Sequence, residues 1–240
     1  MTRQPKPDRR YFLQGLAFGA ATLYTPGVFA DLLTKTPRQT EGPFYPSKLP
    51  LDTDNDLILL NDALTPALGV ITHLTGRVLK RNGQPVNNAV VEIWQCDNKG
   101  VYFHPQAPRA KTIDPNFQGY GRFLTNRKGE FYFRTLKPAP YVDGIQRTPH
   151  IHVIVKKGKT RLITSQVYIK GHRLNRTDQI LNAIRNKKAK DSVIVPFKAV
   201  PGSKTGELSA HWDIVVGVTP NDPTESPLKK PKKKSKGRYY

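Results

Sequence analysis

The segment Thr148-Pro149-His150-Ile151-His152-Val153-Ile154-Val155 constrains the fold more than any other stretch, because it alternates with a period of two. Ile151, Val153 and Val155 fall on one side of an extended chain, and His150, His152 and Ile154 fall on the other. On a helix, residues two apart diverge, so the two imidazoles share a face only if the segment is a strand. Such a strand needs a sheet around it and a core beneath its apolar face. The paired histidines on the other face form a chelating pair for a metal ion, without choosing the ion.

The rest of the chain repeats the strand signal. Leu74-Thr75-Gly76-Arg77-Val78-Leu79-Lys80 leads into Arg81-Asn82-Gly83-Gln84, an Asn-Gly hairpin signal, and Asn88 to Cys96 reads as the next strand. Gly121-Arg122-Phe123-Leu124-Thr125 and Glu130 to Thr135 flank a second turn, Asn126-Arg127-Lys128-Gly129. Further strands are predicted at His150 to Lys156, Leu162 to Ile169, Ser192 to Phe197 and Trp212 to Val218. One short helix is predicted over Thr177 to Asn186, with Leu181 and Ile184 on one side and Thr177 as its cap. Many short strands at regular spacing predict an all-β sandwich. There is no internal repeat and no glycine-rich phosphate loop of the Walker or Rossmann kind.

At 240 residues the chain buries one sizeable core, flanked by extensions. Residues 1–30 resemble a twin-arginine export signal: Asp8-Arg9-Arg10-Tyr11-Phe12-Leu13-Gln14 precedes an apolar stretch, and Val28-Phe29-Ala30 suits cleavage. Left uncleaved, the segment would anchor the protein to a membrane. Residues 31–73, with Pro37, Pro43, Pro46 and Pro50, predict an extended arm across the sandwich, which occupies residues 74–220. Residues 221–240 form a basic tail without apolar periodicity, predicted to be disordered. The net charge is +21, and the body stays basic without the leader and the tail. The tail suits contact with anionic surface polymers, with no specific nucleic acid expected. A lone cysteine, Cys96, excludes an intrachain disulfide and reads as a small buried residue.

Loops between strands are the places for chemistry, and two carry tyrosines: Tyr102 after the Trp94 strand and Tyr141 after the Phe133 strand. Together with His150 and His152 they supply four donors, two of them phenols. The chain here resembles the intradiol ring-cleaving dioxygenases, close to the protocatechuate 3,4-dioxygenase type. The resemblance runs over residues 37–218, through Thr40-Glu41-Gly42-Pro43-Phe44-Tyr45-Pro46, Gly76-Arg77-Val78, Val91-Glu92-Ile93-Trp94-Gln95, Asp114-Pro115-Asn116-Phe117, Gly121-Arg122, Phe133-Arg134-Thr135-Leu136-Lys137-Pro138, Arg147-Thr148-Pro149-His150-Ile151-His152 and Gln166-Val167-Tyr168.

The resemblance implies a prealbumin-like β-sandwich holding a non-haem Fe(III) through Tyr102, Tyr141, His150 and His152. It implies a catechol substrate, O2 and a cis,cis-muconate product, with Tyr141 also accepting a substrate proton, Arg147 stabilising negative charge and Gln166 standing behind the ligands. A hard ferric ion suits phenolate donors, and its charge can deprotonate a phenol whose free pKa is about 10. The interval from Tyr141 to His150 is shorter than in the protocatechuate enzymes, and Asp143 within it disfavours a substrate carboxylate, so the ring substituent stays open. Homo-oligomers are compatible with this reading. Two other readings of the residues also stay open: a zinc hydrolase using His104, His150 and His152, and a non-catalytic binding module of the same fold.

Overall fold

The computed structural model describes residues 32–50, 52–60 and 65–217. The leader and the tail expected from sequence lie outside the described residues. Among those residues twelve strands form two main sheets and one small ribbon. In the first sheet the long strand β1 (Ile71–Lys80) pairs antiparallel with β4 (Glu130–Leu136) on one side. On its other side it pairs in parallel with β11 (Leu208–His211) over its first half and with β12 (Ile214–Val216) over its second. β10 (Phe197–Ala199) extends this sheet beyond β11. The second sheet runs β3 (Tyr120–Leu124), β2 (Val90–Trp94), β7 (His150–Lys157), β8 (Thr160–Ile169), β9 (Ile194–Val195). The ribbon joins β5 (Tyr141–Asp143) to β6 (Ile145–Arg147). The architecture is the expected β-sandwich.

The main core lies between the sheets, with Leu74, Val78, Phe131, Phe133 and Ile214 facing Val91, Ile93, Ile151, Val153, Val155 and Val167. Each such side chain contributes about 1.5–3 kcal/mol on full burial. β7 follows its alternation: the three β-branched residues enter this core, while Ile154 on the opposite face enters a smaller cluster with Phe44, Trp94, Cys96, Tyr102, Tyr120 and Tyr141. The second sheet is thus covered on both faces.

Both predicted turns form, and both are corners between sheets. After β1 the chain turns at Asn82-Gly83, with Lys80 N–H donating to Gln84 O. The ladder runs on past the Leu79–Pro85 bridge, with Val86 N–H donating to Val78 O, and ends before Asn88, which adopts a left-handed φ of 51° and donates its N–H to Thr125 O beside β3. β2 therefore joins the other sheet. At the second corner Gly129 has φ 74°, and a Cβ there would lie 2.5 Å from Val78 O.

The arm straps both open sides of the sandwich. On one side Thr36 N–H donates to Val215 O while Val215 N–H donates to Thr36 Oγ1. Gln39 N–H then donates to Thr164 O on β8. On the other side Arg122 N–H of β3 donates to Thr53 O, and Arg134 N–H of β4 donates to Asn55 O. Residues 41–46 pass between these two fastenings.

Within the expected helical span only the shorter α1 (Gln179–Asn182) forms, and a second helix not expected from sequence, α2 (Lys187–Asp191), follows it. The cap of α1 is Asp178, not Thr177, whose hydroxyl donates instead to Leu174 O. Asn186, the expected end of the run, instead caps α2 by accepting from Ala189 N–H. No helix among the described residues is long and apolar enough to cross a membrane.

Candidate metal centre

His150 and His152 project from the outer face of the second sheet, each no more than 2% exposed. Across the sheet Trp94 lies opposite His152 in register and stacks on its ring at 4.7 Å and 12°. Tyr102 arrives from the loop after β2, which Asp97 organises. One carboxylate oxygen of Asp97 accepts from Lys99 N–H and Val101 N–H, and the other accepts from Asp114 N–H. Within that loop Gly100 has φ 78°, and a Cβ there would sit 2.7 Å from Pro140 O. A side chain at Gly100 would push the two tyrosine-bearing segments apart. The rings of Tyr102 and Tyr141 are thereby brought to 5.1 Å. From the arm, Phe44 stacks on Tyr102 at 4.8 Å.

The donors converge. Tyr102 Oη lies 3.1 Å from His152 Nε2 and 3.4 Å from His150 Nε2, and the two Nε2 atoms are 3.1 Å apart. The Tyr141 ring stands 5.6 Å from that of His150. Donors held about 2.0–2.2 Å from one first-row cation, at right angles to each other, lie about 3 Å apart. The set fits a metal ion. His150 donates from Nδ1 to Thr148 O at 2.6 Å, which leaves its Nε2 lone pair facing the other donors. Among the described residues the buried His152 Nδ1 has no hydrogen-bond partner, and stacking on Trp94 orients that ring.

The electrostatics describe a site built around a cation. Burial, then the charge of Arg147, pushes His150 down to about 3. Burial also holds His152 well below the usual range, aided by His150 and Arg147. Both imidazoles are therefore neutral donors. Burial pushes the Tyr102 phenol well up, with Tyr141 adding to the rise, and it also raises Tyr141 against the pull of Arg147. A bound cation reverses that order by favouring phenolate.

Arg147 faces Tyr141 across the ribbon as its register partner and is buried to 4% exposure. Its Nη2 donates to Gln166 Oε1 at 2.7 Å and its Nε to Asp178 Oδ2 at 2.9 Å. The fold thus brings together every site residue expected from sequence: Tyr102, Tyr141, His150, His152, Arg147 and Gln166. His104 is different. Its Nδ1 accepts from Gln106 N–H, and its ring packs 5.9 Å from Phe44. Among the described residues no three His, Cys, Asp or Glu side chains are grouped to hold a metal, so the three-histidine alternative is not assembled. Cys96 is buried as expected, and burial pushes its thiol up to about 12. Trp94, Phe44 and Asp178 were not foreseen. Asp178 alone had a local signal, an aspartate directly before a helical run.

Residues 40–217 match a family model described as Dioxygenase. The protocatechuate 3,4-dioxygenase beta chain of Burkholderia cepacia is 35% identical over 155 residues, covering 62% of this chain and 65% of that one. The chain belongs to the intradiol dioxygenase family. Catechol 1,2-dioxygenase 1 of Acinetobacter lwoffii is 30% identical over 160 residues, or 57% of this intradiol dioxygenase chain and 47% of that protein. The chain therefore spans between about half and two thirds of the length of these relatives. Among solved structures, an intradiol ring-cleavage dioxygenase from Tetranychus urticae superposes with a TM-score of 0.59 at 21% identity, over 77% of this chain and 95% of that one. A 3-chlorocatechol 1,2-dioxygenase from Rhodococcus opacus gives 0.60 at 18% identity, over 77% and 73%. Both share the β-sandwich of this intradiol dioxygenase family member.

Proposed function

We propose that the protein cleaves a catechol ring between its two hydroxyl-bearing carbons with O2, giving a cis,cis-muconate-type product, at a non-haem Fe(III) held by Tyr102, Tyr141, His150 and His152. The observation that carries this reading is the convergence of Tyr102 Oη and two imidazole Nε2 atoms to 3.1–3.4 Å, with a second phenol beside them, in a chain of this family. When bound, a ferric ion supplies the Lewis acidity that ionises a catechol and the electron affinity that makes its ring reactive toward O2.

The chain's own residues divide the remaining work. Tyr141, at 8% exposure the most accessible of the four donors, takes up a substrate hydroxyl proton at Oη as the catechol replaces it. Arg147 sets a permanent positive charge opposite Tyr141, where the ionised substrate gathers negative charge. Gln166 holds the guanidinium through Oε1 and ties it to the arm, its Nε2 donating to Thr40 O. Phe44, Trp94 and Tyr102 wall the site with aromatic surface and exclude water. The ribbon β5–β6 beside the site is short and turns at Gly144, with Val142 63% exposed.

The reading extends to location and partners. Residues 1–30 act as a twin-arginine-type leader that places the protein in the periplasm or outside the cell. The basic tail rests on anionic surface polymers, and the catalytic units form a homo-oligomer.

The test is optical and chemical. The iron-loaded protein should be red-brown from tyrosinate-to-iron charge transfer, the band should shift on anaerobic addition of catechol, and air should then yield a muconate. A colourless iron-loaded protein, or a product opened beside the two hydroxyls, would overturn the proposal.

A further inference from the structure

Asp178 is completely withdrawn from solvent and accepts three hydrogen bonds. Its Oδ2 receives Arg147 Nε and Thr148 N–H, each at 2.9 Å, and its Oδ1 receives Leu181 N–H at 2.9 Å. The guanidinium is gripped from a second direction, where Nη2 donates to Gln166 Oε1 at 2.7 Å. Gln166 is itself fixed, with Nε2 on Thr40 O and Tyr168 Oη 2.9 Å from Oε1. A planar fork held at Nε and Nη2 cannot rotate about its own bonds. The guanidinium held in this way stands across the ribbon from Tyr141, its register partner.

A buried ion pair is a poor device for stability alone, because desolvation of both partners consumes the attraction between them. This pair sits at 5% and 0% side-chain exposure, at the point where the ribbon, β8 and the N-terminus of α1 meet. We infer that Asp178 is a positioning residue for ring cleavage, fixing the Arg147 guanidinium opposite Tyr141, where negative charge develops on the substrate. The inference rests on the dioxygenase reading. Arg147 touches the substrate; Asp178 acts only through it.

Asn at 178 preserves volume and can still cap Leu181 N–H, but its amide nitrogen then faces two donors, Arg147 Nε and Thr148 N–H. The experiment is a double-mutant cycle on the iron-loaded protein, using Asp178→Asn, Arg147→Ala and the pair, with catechol and O2 as substrates. Asp178→Asn should lower kcat on the order of 10²-fold, as displacement of a charged donor does, with iron content and the resting visible band unchanged. In the Arg147→Ala background it should cost nothing further. Equal losses in both backgrounds would mean a general structural role and overturn the inference.

A second readout needs no iron. In the metal-free ¹⁵N-labelled protein the Arg147 Nε–H signal, assigned by its loss in Arg147→Lys, should exchange slowly with solvent and become fast in Asp178→Asn. Fast exchange in the unsubstituted protein would remove the clamp. If Asp178→Asn does not fold, Asp178→Ser takes its place in the cycle, since serine caps Leu181 N–H but falls short of Arg147. A parent protein that leaves catechol uncleaved would sink the functional reading, while the exchange measurement still decides the clamp.

Discussion

Ionisation is the property on which Tyr102 and Tyr141 depend. Burial favours the neutral phenol at both, so the metal uptake proposed for this site would release protons. Tyr102→Phe removes an oxygen that lies within 3.4 Å of both imidazole nitrogens. His152→Ala removes the nitrogen that lies 3.1 Å from two other donors. Each should lose iron or shift the visible band, as measured by metal analysis and absorption of the purified protein; unchanged iron and colour in both would refute the ligand set. These four donors were legible in the sequence because a two-residue strand spacing and two loop tyrosines recur in a known order. Trp94 and Phe44 were not, since ring stacking depends on which strands and which part of the arm meet, and nothing local to either residue records that.

Elements were legible where alternation is long. β1, β7 and β8 each run eight or more residues and emerge from periodicity alone. β11 and the β5–β6 ribbon have only three or four residues per strand, too few to show a period, and both were missed. Sheet membership was also hidden. An Asn-Gly pair encodes a turn but not the layer its second strand joins; left-handed Asn88, just past the last bond to β1, decides that. Gly129 shows how tightly such a corner is built. Gly129→Ala would force a Cβ to 2.5 Å from Val78 O at a positive φ, and should destabilise the protein by about 1–3 kcal/mol. Urea unfolding of the two proteins measures it, and equal midpoints would show that the corner relaxes freely.

At the scale of the molecule, charge fastens strands within a sheet and chain path joins the layers. Asp213, at the entrance to β12, accepts from Arg77 N–H and from the Arg77 side chain on β1, and it meets His211 Nε2 at 3.1 Å. Burial raises its pKa, but the bonds from His211 and Arg77 outweigh that and bring it to about 2, below the ordinary 3.8. A depressed carboxylate stabilises the fold fully above its unfolded value, and that contribution is lost as pH falls through about 2. Asp213→Asn should therefore be less stable than the parent at pH 5, with the gap narrowing toward pH 2; thermal melts across that range check it, and a constant gap would refute it. The arm has a different consequence, one of timing. Thr36 is bonded to a strand that lies 179 positions later in the chain. While the polypeptide is being synthesised, Leu33 can close on Arg81 O early and Gln39 on Thr164 O once β8 has emerged, but Thr36 has no partner until β12 follows. The arm is thus fastened in stages, and the bond at Thr36 is the last of them to find its partner. For a protein proposed to cross a membrane already folded, fastening Thr36 to Val215 is the event that separates a finished passenger from an unfinished one.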